Sequence, residues 1–208
     1  MPILEFIFIV IIVFFAVVLH ECAHGFVAFK LGDPTAKLAG RLTLNPLKHI
    51  DPFGTVILPF SLLLLRFLGH NVFIFGWAKP VPVNFFRLRR PKRDMILVSL
   101  AGPLANISLA FMFALLLKIF PGREGFEILA SGVYVNLLLA VFNLMPVPPL
   151  DGSRLIMGIL PDRLAISFAR LERYGILIVL VLVYLGLFDA VVYPLISLLA
   201  GLLGVNIR

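Results

Sequence analysis

The chain has 208 residues, of which 61% are hydrophobic and 14% charged, and its mean hydropathy is +1.08, which excludes a soluble globular domain. The net charge of +7 sits in short stretches between apolar runs and not along an amphipathic face, so it points to the cytoplasmic bias of Lys and Arg in membrane proteins and away from nucleic acid. A single cysteine excludes an internal disulfide and a cysteine-rich metal cluster.

At roughly 20 residues per span, this length suits a single domain, 1–208, built as an all-α polytopic membrane protein with about five to six transmembrane helices. The first apolar run, from Pro2 to Leu31, ends at Gly32-Asp33-Pro34. It has neither the basic start nor the small-residue site of a cleaved signal peptide, and reads as a retained span. Residues 34–52 contain Arg41-Leu42-Thr43-Leu44-Asn45-Pro46, an alternation that suits a short strand or extended segment. Phe53 to Leu68 is apolar but short, and is interrupted by Gly54 and Pro59. Phe73 to Val83 is rich in aromatic, β-branched and proline residues, so an edge strand is expected within 72–86, where it would hold an extended peptide by main-chain pairing. The basic run Arg87 to Arg93 follows. Met95 to Phe120 is a clear span, and Ile128 to Met145 is another, ending in Pro146-Val147-Pro148-Pro149-Leu150-Asp151-Gly152. A catalytic core over about 1–160 then leaves 161–208 for the end of an amphipathic segment and a last apolar stretch, Ile176 to Leu203, which is either kinked near Pro194 or divided into two pieces.

Charge placement constrains the topology. If Phe53 to Leu68 crossed the membrane, the basic residues of Lys30 to Lys48 and of Arg87 to Arg93 would face opposite sides, against the positive-inside rule. A re-entrant or hairpin segment resolves the conflict and puts both in the cytoplasm with Arg154 to Arg173, and a simple crossing is the alternative. Irregular backbone at membrane depth must be covered by protein or line a cavity, so residues 34–83 are expected to pack around the functional site.

The chemistry sits in the first span, as His20-Glu21-Cys22-Ala23-His24. On a helix His20 and His24 project about 40° apart, close enough to share a metal ion, and Glu21 falls about 60° from His24 on the same flank. Glu21 therefore reaches a metal-activated water without being a ligand, as in zinc hydrolases with a carboxylate general base. Without a metal, such a cluster in an apolar span would lack solvation. Cys22 falls on the other side of the helix and reads as packing. A catalytic zinc takes a third protein ligand, and the candidates are Asp33, Asp51, Asp151 and the acidic residues of the later loops. Asp151 is favoured because Pro146, Pro148 and Pro149 break the helix and Gly152 lets the chain turn the carboxylate inward. Asp51 is its rival, and a capping aspartate is the plain alternative for both. Asn106, Asn143 and Asp151 converge on the depth of His20, roughly 15 Å inside the cytoplasmic end of its span at 1.5 Å per residue.

Three segments together resemble the site-2 protease family of intramembrane zinc metalloproteases: His20-Glu21-x-x-His24, Ala101-Gly102-Pro103-Leu104-Ala105-Asn106, and Asn143-Leu-Met-Pro146-x-Pro-Pro-Leu150-Asp151-Gly152. The resemblance implies one catalytic zinc on His20, His24 and Asp151, Glu21 as general base, and Asn106 and Asn143 near the substrate or scissile carbonyl. It implies transmembrane protein substrates in a lipid bilayer, and a prokaryotic plasma-membrane location with the site toward the cytoplasm. Gly76 to Val83 is similar to the family's membrane-associated sheet region, and no stretch is long enough for a PDZ or CBS domain. A membrane zinc hydrolase acting on a lipid or amide is the alternative. A metal transporter is disfavoured because the chain has no repeated halves.

Overall fold

A computed structural model describes residues 3–70, 72, 76–120 and 125–206. It contains helices α1 (Ile3–Lys30), α2 (Thr35–Leu38), α3 (Leu58–Phe67), α4 (Pro91–Ile119), α5 (Phe126–Asn143), α6 (Asp151–Ile159), α7 (Asp162–Ala169), α8 (Gly175–Tyr184) and α9 (Leu187–Leu202). The all-α reading holds among the described residues. Three helical stretches, Ile7–Lys30, Pro91–Ile119 and Phe126–Asn143, are long and apolar enough to cross a membrane. A fourth span results if Asp162–Tyr184 and Asp189–Leu202, bent by 81°, count as one.

Among the described residues this gives three to four candidate spans, and the expected five to six are not confirmed. The apolar stretch at Phe53 forms only the short helix Pro52–Phe67, which begins with six residues of wide π-helical turn and is too short to span. The last apolar run breaks at Gly186, whose φ of 70° ends α8, while Pro194 lies within α9.

Helix α4 is the central element, packed against α1, α5 and α6, and α5 also contacts α9. Ala110 and Ala114 on α4 are buried against Val133 and Leu137 of α5 and Val192 and Ile196 of α9, small residues where backbones approach closely. Gly132 serves the same packing, since a Cβ there would stand 2.7 Å from the Phe113 ring. The outer faces stay apolar, with Ile7, Phe8, Ile11 and Phe15 of α1 and Phe111 and Leu115 of α4 exposed. A surface of this kind suits hydrocarbon as solvent, and the protein is an integral membrane protein.

The expected β region is corrected: no strand occurs among the described residues. Phe73, Ile74 and Phe75 of that expectation lie outside them. From Gly76 to Asn84 the chain runs without helix or ladder, and its hydrogen bonds go to irregular partners. Trp77 N–H donates to Gly54 O at 3.0 Å and Lys79 N–H to His49 O at 2.9 Å. Val81 N–H donates to the Glu21 carboxylate at 2.7 Å. The alternate residues Pro80 and Pro82 have no N–H to offer a second partner. A β-prone composition here yields a strap across the end of α1 and not a sheet.

Candidate active site

One helical turn separates His20 and His24, which are only 6% and 8% exposed. His24 Nδ1 lies 2.7 Å from Val98 O of α4, and His20 Nδ1 lies 2.6 Å from Asn106 Oδ1. Carbonyl oxygens only accept, so each Nδ1 carries its proton, and in the neutral ring each Nε2 presents a lone pair. The orientation of the Asn106 amide follows from its other end, where Nδ2 donates to Asn136 Oδ1 at 3.0 Å and to Ala16 O at 3.3 Å. Asn136 in turn donates to Gly132 O at 2.9 Å. A buried amide relay from α5 through α4 thus fixes the tautomer of His20, the usual task of a group behind a metal-binding imidazole.

Asp151 opens α6 just after the proline-rich turn, and its Oδ2 lies 3.0 Å from both His20 Nε2 and His24 Nε2. The two Nε2 atoms are themselves 3.0 Å apart. These three acceptor atoms form a nearly equilateral triangle, close to the roughly 3.3 Å edge of a tetrahedron around a zinc ion with bonds of about 2.0 Å. Neutral imidazoles and a carboxylate would repel one another at this spacing, so the donor set fits a cation. Helix α4 leaves room for one: a Cβ on Gly102 would fall 2.3 Å from His24 Nε2 and 2.5 Å from His20 Nε2, filling the cradle. In the metal-free chain a second proton on the imidazoles lets Nε2 donate, and the resulting hydrogen bonds from His20 and then His24 outweigh the burial that alone would raise the Asp151 carboxyl, holding its pKa at about 2. The ligand-ready, ionised form is favoured.

Gly152 acts differently from the turn expected of it, because its φ is not positive. A Cβ there would stand 2.2 Å from Leu144 O and 2.4 Å from Met145 O, so glycine lets α6 dock directly on the end of α5. The rival aspartates are engaged elsewhere. Asp33 accepts from Asn84 N–H at 2.6 Å and Thr35 N–H at 3.0 Å, and Asp51 caps its turn through Gly54 N–H at 2.6 Å. Among the described residues His20, His24 and Asp151 are the group of metal-ligating side chains brought together.

Glu21 stands outside that triangle, with Oε2 held by Val81 N–H. Asn106 and Asn143, expected near a substrate or scissile carbonyl, differ in their surroundings. Asn106 is fully buried and committed at both ends of its amide, behind His20. Asn143 donates to Leu139 O of its own helix at 2.9 Å. Asn136 was not singled out from the sequence, although an amide in the middle of an apolar span is the kind of signal that marks a functional position. On another face of α1 lies an apolar groove of about 600 Å³, bounded by Leu19, Cys22 and Ala23 of α1, Leu42 and Leu44 of the extended loop, and Leu109 and Met112 of α4, and lined by neither histidine.

A His-His pair on a membrane helix, a carboxylate brought to it by α6 and a glutamate one residue after the first histidine make the donor set of a membrane zinc hydrolase. Residues 124–186 match peptidase family M50. The chain is 40% identical over 200 residues to "Putative zinc metalloprotease YwhC" of Bacillus subtilis (strain 168), covering 91% of this chain and 86% of that protein. It is 33% identical over 170 residues to "Putative zinc metalloprotease Rip2" of Mycolicibacterium smegmatis, covering 79% of this chain and 61% of that one. The Rip2 protein of Mycobacterium tuberculosis (strain H37Rv) is 30% identical over 188 residues, 86% of this chain and 69% of the relative. The chain belongs to peptidase family M50, the site-2 proteases. No solved structure gives a significant match.

Proposed function

We propose that this protein is an intramembrane zinc endopeptidase that cuts peptide bonds within or near the transmembrane segments of other membrane proteins. The observation that carries the reading is the triangle of His20 Nε2, His24 Nε2 and Asp151 Oδ2, with 3.0 Å sides, whose two histidines lie on a helix long and apolar enough to span. His20, His24 and Asp151 hold the metal, and the whole chain, 1–208, acts as one catalytic domain. When bound, zinc supplies Lewis-acid activation of water and of the peptide carbonyl.

Glu21 acts as general base. It takes a proton from the attacking water through the carboxylate oxygen that Val81 leaves free, then returns it to the leaving amine. Asn106 and Val98 O hold the imidazoles in the tautomer that keeps both Nε2 atoms aimed at the cradle. A helical peptide bond is shielded by its own hydrogen bonds, so the substrate span must unwind locally. The basic segments around Lys37 and Arg90 face the cytoplasm, with the site opening toward that side of the plasma membrane.

The test is reconstitution with a single-span peptide in liposomes whose lipids are assayed in parallel. Cleavage of the peptide and intact lipid, both dependent on zinc, are expected. Lipid or small-amide hydrolysis with an intact peptide would favour a different hydrolase.

A further inference from the structure

Arg41 is 8% exposed, yet among the described residues it makes no ion pair within 4.0 Å. A buried guanidinium without a counter-charge is costly, so its remaining contacts are informative. Its Nη2 donates to Lys79 O at 2.6 Å and lies 3.4 Å from Pro80 O. The next residue, Val81, donates its N–H to Glu21 Oε2 at 2.7 Å. Local sequence aims the side chain inward: Gly40 has a φ of 63°, Gly40 N–H bonds Lys37 O at 3.0 Å and Arg41 N–H bonds Ala36 O at 2.9 Å. This is a Schellman end to α2, with Arg41 at its exit. The same strap is pinned from the other side where Lys79 N–H meets His49 O.

We infer that Arg41 is a positioning residue for Glu21, acting through the Lys79–Val81 strap. The guanidinium clamps two consecutive carbonyls, which fixes the Val81 amide. That amide in turn occupies one oxygen of the Glu21 carboxylate and leaves the other for the attacking water. The strap therefore sets the direction of the base and does not touch the metal cradle. The inference rests on the reading of Glu21 as general base.

The experiment measures kcat, KM and bound zinc for purified Arg41→Ala, Arg41→Lys, Val81→Pro and Glu21→Gln on a single-span peptide. Val81→Pro keeps an apolar side chain and deletes the N–H that meets Glu21. Arg41→Ala and Val81→Pro are expected to lower kcat by roughly tenfold to a hundredfold, as misplacement of a reacting group does, with KM within about twofold of wild type and zinc unchanged. Arg41→Lys, still able to donate to the carbonyls, should recover part of the loss. Wild-type kcat in Arg41→Ala and Val81→Pro, a rise in KM alone, or loss of zinc or folded protein in both would overturn the inference. Glu21→Gln separates the two claims. Full turnover there removes the general-base reading itself, whereas an inactive Glu21→Gln beside a fully active Arg41→Ala removes only the role of Arg41.

Discussion

His20 Nδ1 donates to Asn106 Oδ1 across 2.6 Å, and this bond ties the metal-facing imidazole of α1 to the center of α4. Because the Asn106 amide also donates to Asn136, the tautomer of His20 depends on three helices at once. Asn106→Leu should therefore weaken zinc binding by about 10- to 100-fold, the usual cost of losing a group behind a metal ligand. Titration with a competing chelator measures it. Asn106→Leu with wild-type zinc affinity but impaired substrate binding would instead put Asn106 at the substrate.

Gly102 is the second lever. Its missing side chain is the space between His20 Nε2 and His24 Nε2, so Gly102→Ala should abolish both zinc content and peptidase activity. Helix content by circular dichroism should stay unchanged, because α4 gains a better helix former.

Asp151 gives the metal-free protein an acid-sensitive step. Its carboxyl is held at about 2 in the folded chain, below the ordinary 3.8. A depressed carboxylate pKa stabilises the fold above the unfolded value, and that contribution is lost as pH falls from near 4 toward 2. It is of order 2 kcal/mol. Thermal melts of chelated protein should lose stability over that window, and Asp151→Asn should lack this loss. In the loaded protein protons also compete for the imidazoles, so zinc should be released on acidification.

The placement of the basic segments is open to direct labelling. Lys37 and Arg90 are exposed. Single cysteines at these positions, in a Cys22→Ser background, should both be protected from an impermeant thiol reagent applied outside intact cells. Labelling of one alone would mean that the Pro52–Phe67 helix carries the chain across the membrane.

The metal cradle was largely legible because its information is local. His20 and His24 announce themselves through helical spacing, and Asp151 through the prolines that end α5 and the glycine behind it. The role of Asn106 was not legible, since it depends on the register between α1 and α4, which no local pattern encodes. Asn136 was legible as a lone amide within an apolar span, but its partner, 30 residues away on another helix, was not. The β-prone stretch near Val81 misled because propensity reports a preference for extended backbone, while the partners of that backbone, Glu21, His49 and Gly54, are set by tertiary packing. The span count was less legible: Phe53 to Leu68, read as re-entrant, forms only the short helix Pro52–Phe67, and the last apolar run, read as kinked near Pro194 or divided in two, breaks at Gly186.

The central claim is that Glu21 performs peptide hydrolysis at a zinc held by His20, His24 and Asp151 inside the membrane. Mass-spectrometric mapping of the bond cut in a reconstituted single-span substrate, with zinc quantified in the same samples, tests it most directly. The expected result is a cut within or at the edge of the substrate's apolar segment by the wild-type protein. Glu21→Gln should retain one zinc per chain and lose turnover by about two to four orders of magnitude, as removal of a general base does. Cleavage confined to soluble tails far from the bilayer, or cutting within the span at an undiminished rate by Glu21→Gln, would contradict the account.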